Sequence, residues 1–173
     1  MSVIAYFAYG SNLCLRRLRG RVPDACLLER ATLPGHVLRW HKRSNLDGSG
    51  KCSIETQQDG SGFVHGALFS IPEDQMEALD RAEGLGFGYE QRSITVQTAT
   101  GMKECVTYQA QDTHIDNALR PYSWYKDLVV GGAHALELDP LYVESLRQTS
   151  AIEDPNRARD AAERHFIPCG GSS

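Results

Sequence analysis

The feature that most constrains the fold stands at the start of the chain, where an apolar strand pattern runs directly into turn-forming residues. Residues 3–8 are Val-Ile-Ala-Tyr-Phe-Ala, which favour a β-strand, and Tyr9-Gly10-Ser11-Asn12 follows them without a spacer. From Leu13 onward, leucines and arginines interleave in a pattern typical of a short helix. The opening therefore predicts a strand, a tight loop and a helix.

Strand patterns dominate the remainder of the first 110 residues. Strands are expected at residues 32–40, 52–56, 63–71, 91–98 and 103–110. The first of these contains Pro34-Gly35 near its start. The last two alternate apolar and polar residues on either side of Gly101, which predicts a hairpin with this glycine in the turn.

Helix signals follow the strands. Ser70-Ile-Pro-Glu73 resembles a capping box with proline at the start of a helix, and Gly84 is a natural terminator for that helix. In the last third of the chain, Ser123 is expected to cap a helix that runs to residue 130. Asp139-Pro140 predicts the start of another helix, which runs to residue 149. A polar stretch at residues 154–165 predicts a terminal helix.

This order of elements predicts an α+β fold. We expect a compact mixed α/β domain around a small, barrel-like, mostly antiparallel sheet, followed by C-terminal helices. The 173 residues are enough for one domain with a substantial core and few for two, so a single domain is expected over residues 1–173. Residues 157–173 are expected to form a helical or flexible extension.

Charge and cysteine content argue against several classes of protein. A net charge of −4 gives no basic surface for nucleic acid, and no apolar run approaches the length of a membrane span. The N-terminus lacks a charged leader, so no signal peptide is expected. The cysteines are odd in number and form no Cys-x-x-Cys pair, which favours reduced thiols in a cytoplasmic protein. Histidines and carboxylates show no ligand-like clustering, so no metal is expected.

Tyr9-Gly10-Ser11-Asn12 is the first candidate binding element. A loop between a strand and a helix exposes backbone N–H groups near the positive end of the helix dipole, which suits a carboxylate or phosphate. Gly10 permits an unusual φ and the close approach of a ligand, while Ser11 and Asn12 add side-chain donors. The alternative is an ordinary turn in which Ser11 or Asn12 caps the helix, and local physics alone favours it.

Glu83 is the candidate acid–base group. It follows Leu79 by four residues and Met76 by seven, so a helix puts it on the apolar face, whereas Asp80 falls on another side. Burial raises the pKa of a carboxyl group toward values that suit a general base or acid at neutral pH. The alternative is an exposed residue in the last helical turn beside Gly84, since most glutamates are solvated.

Three further features carry weaker signals. Gly84-x-Gly86-x-Gly88 follows a helix rather than a strand, so it is interpreted as a flexible wall or lid of a pocket and not as a dinucleotide-binding loop. Tyr108 and Tyr125 offer hydroxyl donors to a polar substrate, although such residues more often pack with a hydrogen-bonded tip. Cys14 lies where a helix dipole can activate a thiol, but no histidine partner is evident.

The segments around the loop and around Glu83 resemble γ-glutamylcyclotransferases and their AIG2-like relatives. Tyr6-Phe-Ala-Tyr-Gly-Ser-Asn-Leu13 is similar to the opening signature of that family, and Leu79-Asp-Arg-Ala-Glu-Gly84 is similar to the segment with its catalytic glutamate. Trp124-Tyr-Lys126 and residues 141–156 resemble the family's C-terminal helices. The two motifs, in the expected order and at the expected distance, favour the functional interpretation of both the loop and Glu83.

The resemblance implies a cofactor-free enzyme that cyclises a γ-glutamyl amide to 5-oxoproline and releases an amine or amino acid. It implies that Glu83 is the catalytic base and acid, and that backbone amides of the loop bind the glutamyl carboxylate. The implied substrate-binding residues are Tyr9, Gly10, Ser11, Asn12, Leu13, Tyr89, Tyr108 and Tyr125. The expected partner is a small γ-glutamyl compound, with no nucleic acid and no membrane.

Other functions stay open at the level of sequence. The chain could remove a γ-glutamyl protecting group from an intermediate of a biosynthetic pathway. It could also be a non-catalytic relative that binds γ-glutamyl ligands or a partner protein, because a fold does not guarantee a function. Candidate substrates range from γ-glutamyl amino acids and amines to glutathione, and a homodimer is as compatible with the sequence as a monomer.

Overall fold

Strands occupy most of the first two thirds of the chain and helices the last third. The computed structural model describes residues 2–167. Its strands are β1 (Val3–Ala8), β2 (Cys26–Pro34), β3 (His36–Arg43), β4 (Gly50–Thr56), β5 (Phe63–Pro72), β6 (Tyr89–Thr98) and β7 (Gly101–Ala110). Its α-helices are α1 (Leu15–Arg21), α2 (Met76–Glu83), α3 (Ser123–Ala135), α4 (Pro140–Arg147) and α5 (Arg157–Arg164).

Five of the strands close into a barrel in the order β1-β5-β2-β6-β7. Neighbouring strands are antiparallel except at the closing pair, where β1 runs parallel to β7 with Tyr6 opposite Val106. β3 and β4 form a separate two-stranded antiparallel sheet. The predicted α+β class, with a barrel-like, mostly antiparallel sheet and C-terminal helices, is confirmed.

The barrel and the helices share an apolar core. Phe7 and Phe69 are fully buried on the adjacent strands β1 and β5, while Leu79 of α2 and Leu128 of α3 are buried in the same cluster. Burial of each such side chain stabilises the fold by about 1.5–3 kcal/mol. The end of β1 is therefore firmly anchored, and so is the loop that leaves it.

The strand predicted at residues 32–40 is wrong in its extent. The structure divides this stretch between β2 and β3, because Gly35 adopts a left-handed φ of 68° that breaks the strand. Strong Pro-Gly turn chemistry overrides the apolar pattern on either side of it. By contrast, the predicted hairpin is confirmed as β6 and β7, although Gly101 begins β7 opposite Thr98 and the turn itself consists of Ala99 and Thr100.

Two predicted helix caps are wrong, and two predicted helix ends differ from the structure, since α3 continues to Ala135 instead of ending at residue 130 and α4 ends at Arg147 instead of residue 149. The capping box at Ser70 is wrong, because Ser70 belongs to β5 and its hydroxyl donates to the Cys26 carbonyl. Ser123 is not a cap either, since Tyr122 holds that position and the Ser123 hydroxyl accepts from Arg164. The predicted stop at Gly84 is confirmed by its left-handed conformation.

The C-terminal part of the chain is helical where the structure describes it. Asp139 caps α4 by accepting a hydrogen bond from the Tyr142 N–H, as the Asp-Pro start predicts. The terminal helix is shorter than predicted and is capped by Asn156. Residues 168–173 of the expected extension, including Cys169, lie outside the described residues. Within residues 2–167, no helix combines the length and apolar character required to cross a membrane.

Candidate active site

A pocket opens where β1 ends and the Tyr9-Gly10-Ser11-Asn12 loop begins. It encloses about 300 Å³ of space, counting the solvent at its mouth. Among the residues predicted from the sequence, those that line it are Glu83, Tyr9, Gly10, Ser11, Asn12, Tyr89, Tyr108 and Tyr125. Tyr6 and Cys52, which the sequence did not single out, complete the lining. Leu13 is not part of it.

The loop is shaped by close packing and by an unusual ψ angle at Gly10. The φ of Gly10 is −112°, which any residue can adopt, so the expected unusual φ is wrong, but its ψ of −138° lies outside the main regions allowed to residues with a Cβ. A Cβ at this position would lie 3.1 Å from the Cys52 Cβ and 3.4 Å from the Tyr125 hydroxyl, and this crowding also favours glycine. Leu13 turns away from the pocket and packs against Gly132 of α3.

The loop leaves backbone donors without protein acceptors. Ser11–Leu13 forms a single 3-10 turn, and neither Ser11 nor Asn12 caps a helix through its side chain, so the capping alternative is wrong. The carbonyls of Gly10 and Ser11 accept from the N–H groups of Leu13 and Cys14. The N–H groups of Gly10, Ser11 and Asn12 themselves find no acceptor within residues 2–167. They are therefore free to bind an anion.

Glu83 ends α2 and reaches the pocket with only 15% of its side chain exposed. Its Oε1 atom accepts hydrogen bonds from Arg21 Nη1 at 2.7 Å and from Asn12 Nδ2 at 2.8 Å. The alternative of an exposed last-turn residue is thus wrong. In the part of the chain that the structure describes, no group donates to Oε2, which leaves that oxygen for a ligand.

Arg21 is a site residue that the sequence analysis missed. Its Nη1 atom also donates to Asn12 Oδ1 at 2.9 Å, so the guanidinium ties the loop to the end of α2. Asn12 extends the network by donating to the Tyr6 hydroxyl at 3.0 Å. Leu15, Leu18 and Arg21 follow each other at three-residue spacing on α1, and this periodicity is the signal that could have identified an inward-facing arginine.

The pocket tyrosines are neutral and mostly committed to the protein. Burial raises the pKa of Tyr6, Tyr9, Tyr89, Tyr108 and Tyr125, so each keeps its proton. Tyr9 donates to the Tyr108 carbonyl, Tyr89 to the Cys52 carbonyl at 2.6 Å, and Tyr108 to Asp80 Oδ1 at 2.6 Å. Tyr125 accepts from the Cys52 N–H at 3.0 Å, so its own O–H can donate to a ligand.

The contact with Tyr108 also corrects the position expected for Asp80. Helical spacing predicted that Asp80 and Glu83 lie on different sides of α2. In the structure both carboxylates reach the pocket side: Glu83 is part of the lining, and Asp80 lies behind Tyr108, whose hydroxyl donates to it. The two residues are three positions apart, which is less than one helical turn. Asp80 therefore orients Tyr108, while Glu83 meets the ligand space directly.

The cysteines are poorly placed for nucleophilic chemistry. Burial raises the pKa of the Cys52 thiol to about 12, so this pocket residue remains a thiol near neutral pH. Cys14 is buried outside the pocket lining and its thiol donates to the Phe166 carbonyl at 3.0 Å. Among residues 2–167, no set of three His, Cys, Asp or Glu side chains is arranged to hold a metal ion.

The Gly84-x-Gly86-x-Gly88 segment lies beside the pocket without lining it. All three glycines have a positive φ, which explains their presence in this tight connection between α2 and β6. At the end of the segment, the Gly88 N–H donates to Gln111 Oε1 and the Gly88 carbonyl accepts from the Gln111 N–H, each at 2.9 Å. The Asn45 side chain also donates to the Phe87 carbonyl. The segment is thus tethered at its β6 end, and movement as a lid stays a prediction.

Two known proteins of similar sequence and one solved structure of similar fold have the same name. The profile of the AIG2-like family matches residues 63–146. A Bos taurus protein named gamma-glutamylcyclotransferase is 29% identical over 154 residues, which cover 87% of this chain and 79% of the bovine one. A Mus musculus protein of the same name is 29% identical over 170 residues, which cover 91% and 85%. A solved structure named gamma-glutamyl cyclotransferase superposes with a TM-score of 0.82 at 23% identity, covering 94% of this chain and 99% of that one.

Proposed function

Because the chain is similar to the AIG2-like family over residues 63–146 and to two proteins named gamma-glutamylcyclotransferase, we propose that it belongs with these proteins, converts a γ-glutamyl amide to 5-oxoproline and releases an amine or amino acid. One observation carries the proposal: Glu83 enters the pocket opposite unpaired loop amides, with Oε1 held and Oε2 open. Cyclisation needs both an anion-binding loop and a proton carrier, and here they lie within one small pocket.

The loop is the proposed binding element for the glutamyl end of the substrate. The N–H groups of Gly10, Ser11 and Asn12 are suited to the α-carboxylate, because unpaired backbone donors favour an anion. Anchoring this end holds the flexible glutamyl chain in the bent conformation that brings its α-amine to its own γ-carbonyl.

Glu83 is the proposed proton carrier in both halves of the reaction. The α-amine nitrogen attacks the γ-carbonyl carbon and forms the ring C–N bond, while Glu83 Oε2 takes the proton that the nitrogen loses. The same carboxyl group then gives this proton to the departing nitrogen as the original amide C–N bond breaks. No water is consumed, and atoms and charges balance between the γ-glutamyl amide and its two products.

The developing negative charge on the γ-carbonyl oxygen also needs donors. Loop amides that do not hold the carboxylate can serve, and the Tyr125 hydroxyl is a further donor on the pocket wall. Such preorganised donors lower the barrier because they are already oriented when charge develops. Arg21 and Asn12 act through Oε1 of Glu83, which keeps the second oxygen turned to the ligand space.

The experiment is a product assay that separates cyclisation from hydrolysis. The purified protein is incubated with a panel of γ-glutamyl amino acids, γ-glutamyl amines and glutathione, and 5-oxoproline, free glutamate and released amine are quantified. We expect 5-oxoproline and released amine in equal amounts with at least one substrate. Formation of glutamate in place of 5-oxoproline would show that the protein hydrolyses the amide rather than cyclising it, and would overturn the proposal.

The same panel tests the competing functions. Turnover confined to γ-glutamyl amines would favour removal of a γ-glutamyl protecting group from a larger amine. No turnover of any member, together with calorimetric binding of a γ-glutamyl compound, would identify a non-catalytic binding protein. Either result would keep this pocket as the ligand site but would assign the protein a different function.

A further inference from the structure

Within residues 2–167, Lys42 on β3 is a buried cation without an ion-pair partner. The residue is only 5% exposed, and its Nζ atom lies 4.5 Å from the centre of the Tyr89 ring. In the described part of the chain, no carboxylate oxygen comes within 4 Å of this nitrogen, and no hydrogen bond to it is formed. A buried charge without a partner is costly, which is why such a group is rare without a function.

Lys51, the residue opposite Lys42 in the β3–β4 pair, provides a comparison because it is a buried lysine with partners for its charge. Its Nζ atom contacts Asp47 Oδ2 at 3.0 Å and Ser49 Oγ at 2.8 Å, and it also lies over the Trp124 ring. The charge of Lys51 is therefore compensated within the protein. Lys42 lacks this compensation, although both lysines are close to the aromatic wall of the pocket.

Lys42 lies behind the wall of the pocket and is not part of its lining. It packs on Tyr89, which lines the pocket, and under Gly88, where a Cβ would lie 2.8 Å from its Nζ atom. Burial lowers the pKa of Lys42, whereas the carboxylates of Glu83 and Asp47 act in the opposite direction.

We propose that Lys42 is a specificity-determining residue that attracts the carboxylate of a leaving amino acid. The inference rests on the proposed cyclisation. In that reaction the leaving nitrogen must lie beside Glu83, and in a γ-glutamyl amino acid a carboxylate is attached one carbon away from this nitrogen. In this proposal the glutamyl group occupies the pocket and the leaving group extends past Tyr89, which lines the pocket, toward Lys42 on the other side of that ring. A carboxylate there supplies the partner that the ammonium group lacks.

The test compares two substrates that differ only in this charge, γ-glutamyl-L-alanine and γ-glutamyl-L-alaninamide. The measured quantity is the ratio of their kcat/KM values, from 5-oxoproline formation. In Lys42→Met, which keeps the length of the side chain on Tyr89, we expect the preference for the carboxylate substrate to fall about tenfold or more. Lys42→Arg should retain most of the preference. Lys103→Met, a change at an exposed lysine on β7, is the matched control and should leave the ratio as it is.

A ratio that stays constant in Lys42→Met would overturn the inference, since a merely structural lysine affects both substrates equally. Inhibition of the unmodified protein by products gives a second test that needs no variant. Alanine should inhibit more strongly than alaninamide, and equal or weaker inhibition by alanine would contradict the role of Lys42. Absence of 5-oxoproline from every substrate would instead refute the proposed function itself, so the two failures are distinguishable.

Discussion

At the scale of single residues, Arg21 orients Glu83, the proposed acid–base group. Its guanidinium donates to Glu83 Oε1 and to Asn12 Oδ1, at 2.7 and 2.9 Å, so one cation fixes both the end of α2 and the binding loop. Arg21 touches no substrate in the proposed reaction. It is therefore a positioning residue, and its removal should affect the rate of the chemical step more than substrate affinity.

For Arg21→Gln, we expect kcat to fall by up to about 10²-fold while KM changes little, because small displacements of a reacting group are costly. Arg21→Lys should recover only part of the rate, since an ammonium group cannot hold two acceptors in the same planar geometry. Steady-state kinetics with the best substrate of the panel provides the measurement. Arg16→Gln, at an exposed position of α1, is the control, and an equal loss there would contradict the positioning role.

The sequence identified most of the pocket lining but not the contacts that organise it. Glu83 and the loop were found because motif resemblance reversed a local interpretation that favoured a solvated acid and a capped turn. Arg21 was not singled out because it is one of four arginines in the short helix α1, and Asp80 was assigned to the wrong side of α2. Leu13 belongs to the same motif as the loop but serves the core, which residue type alone cannot distinguish from a binding role.

At the scale of elements, the loop is held in position by α3. Gly132 of α3 faces the start of α1 so closely that a Cβ there would lie 2.6 Å from both the Leu13 carbonyl carbon and the Cys14 nitrogen. These are backbone atoms, which cannot rotate out of the way. The close approach of α3 therefore depends on this glycine and indirectly sets the position of the binding loop.

Gly132→Ala should destabilise the protein by about 1–3 kcal/mol, because overpacking against backbone outweighs the better helix propensity of alanine. The midpoint of urea unfolding gives the measurement, and KM should rise as the loop shifts. Gly20→Ala on α1 is the matched control, since its Cβ would meet only the Phe166 ring at 3.7 Å. There we expect a gain of up to about 1 kcal/mol, and a loss as large as that of Gly132→Ala would contradict the packing argument.

Elements were predicted well where one local rule was sufficient. The hairpin of β6 and β7 and the stop at Gly84 follow from glycine conformation and strand alternation, and both were confirmed. The capping box at Ser70 failed because pairing of β5 with β1 and β2 keeps this serine in a strand. Long-range strand pairing thus overrode a local helix signal, and no pattern near Ser70 indicates that outcome.

At the scale of the whole molecule, Asp154 joins the C-terminal segment to α3. Its side chain accepts from Trp124 Nε1 at 2.8 Å and from Arg159 Nε and Nη2 at 2.7 and 2.6 Å. The Arg159 hydrogen bonds, aided by Asn156 and Trp124 and opposed by burial, lower the pKa of Asp154 from 3.8 to about 2. A carboxyl group with a lowered pKa in the folded state stabilises the protein above its ordinary pKa and loses that contribution as the pH falls.

The expected result is a stability difference between the parent and Asp154→Asn that depends on pH. Near pH 7 the variant should be less stable by about 1.5–3 kcal/mol, the range for hydrogen bonds to charged groups. The difference should shrink as the pH falls from about 4 to about 2, where the parent also loses the charge. Urea unfolding at both ends of this window measures it, with Glu153→Gln, an exposed neighbour, as control. A difference that is the same at both pH values would contradict the prediction.

The fold class was predictable from the sequence, but the closure of the barrel was not. Alternating patterns and late helices indicated an α+β fold with a curved sheet, and that is what forms. Closure of the barrel requires β1 to run parallel to β7, about a hundred residues along the chain, while β3 and β4 leave the barrel altogether. These choices depend on which pairings bury the most apolar surface together, a property of the assembled chain rather than of any segment.

The central claim is that the carboxyl group of Glu83 carries the proton in both steps of cyclisation. Its most direct test is kcat/KM for 5-oxoproline formation by Glu83→Gln, compared with Glu77→Gln on the exposed side of the same helix. We predict a loss of about 10²–10⁴-fold for Glu83→Gln, the usual contribution of general acid–base catalysis, and no significant change for Glu77→Gln. A folded Glu83→Gln protein that forms 5-oxoproline at the rate of the parent would contradict the claim.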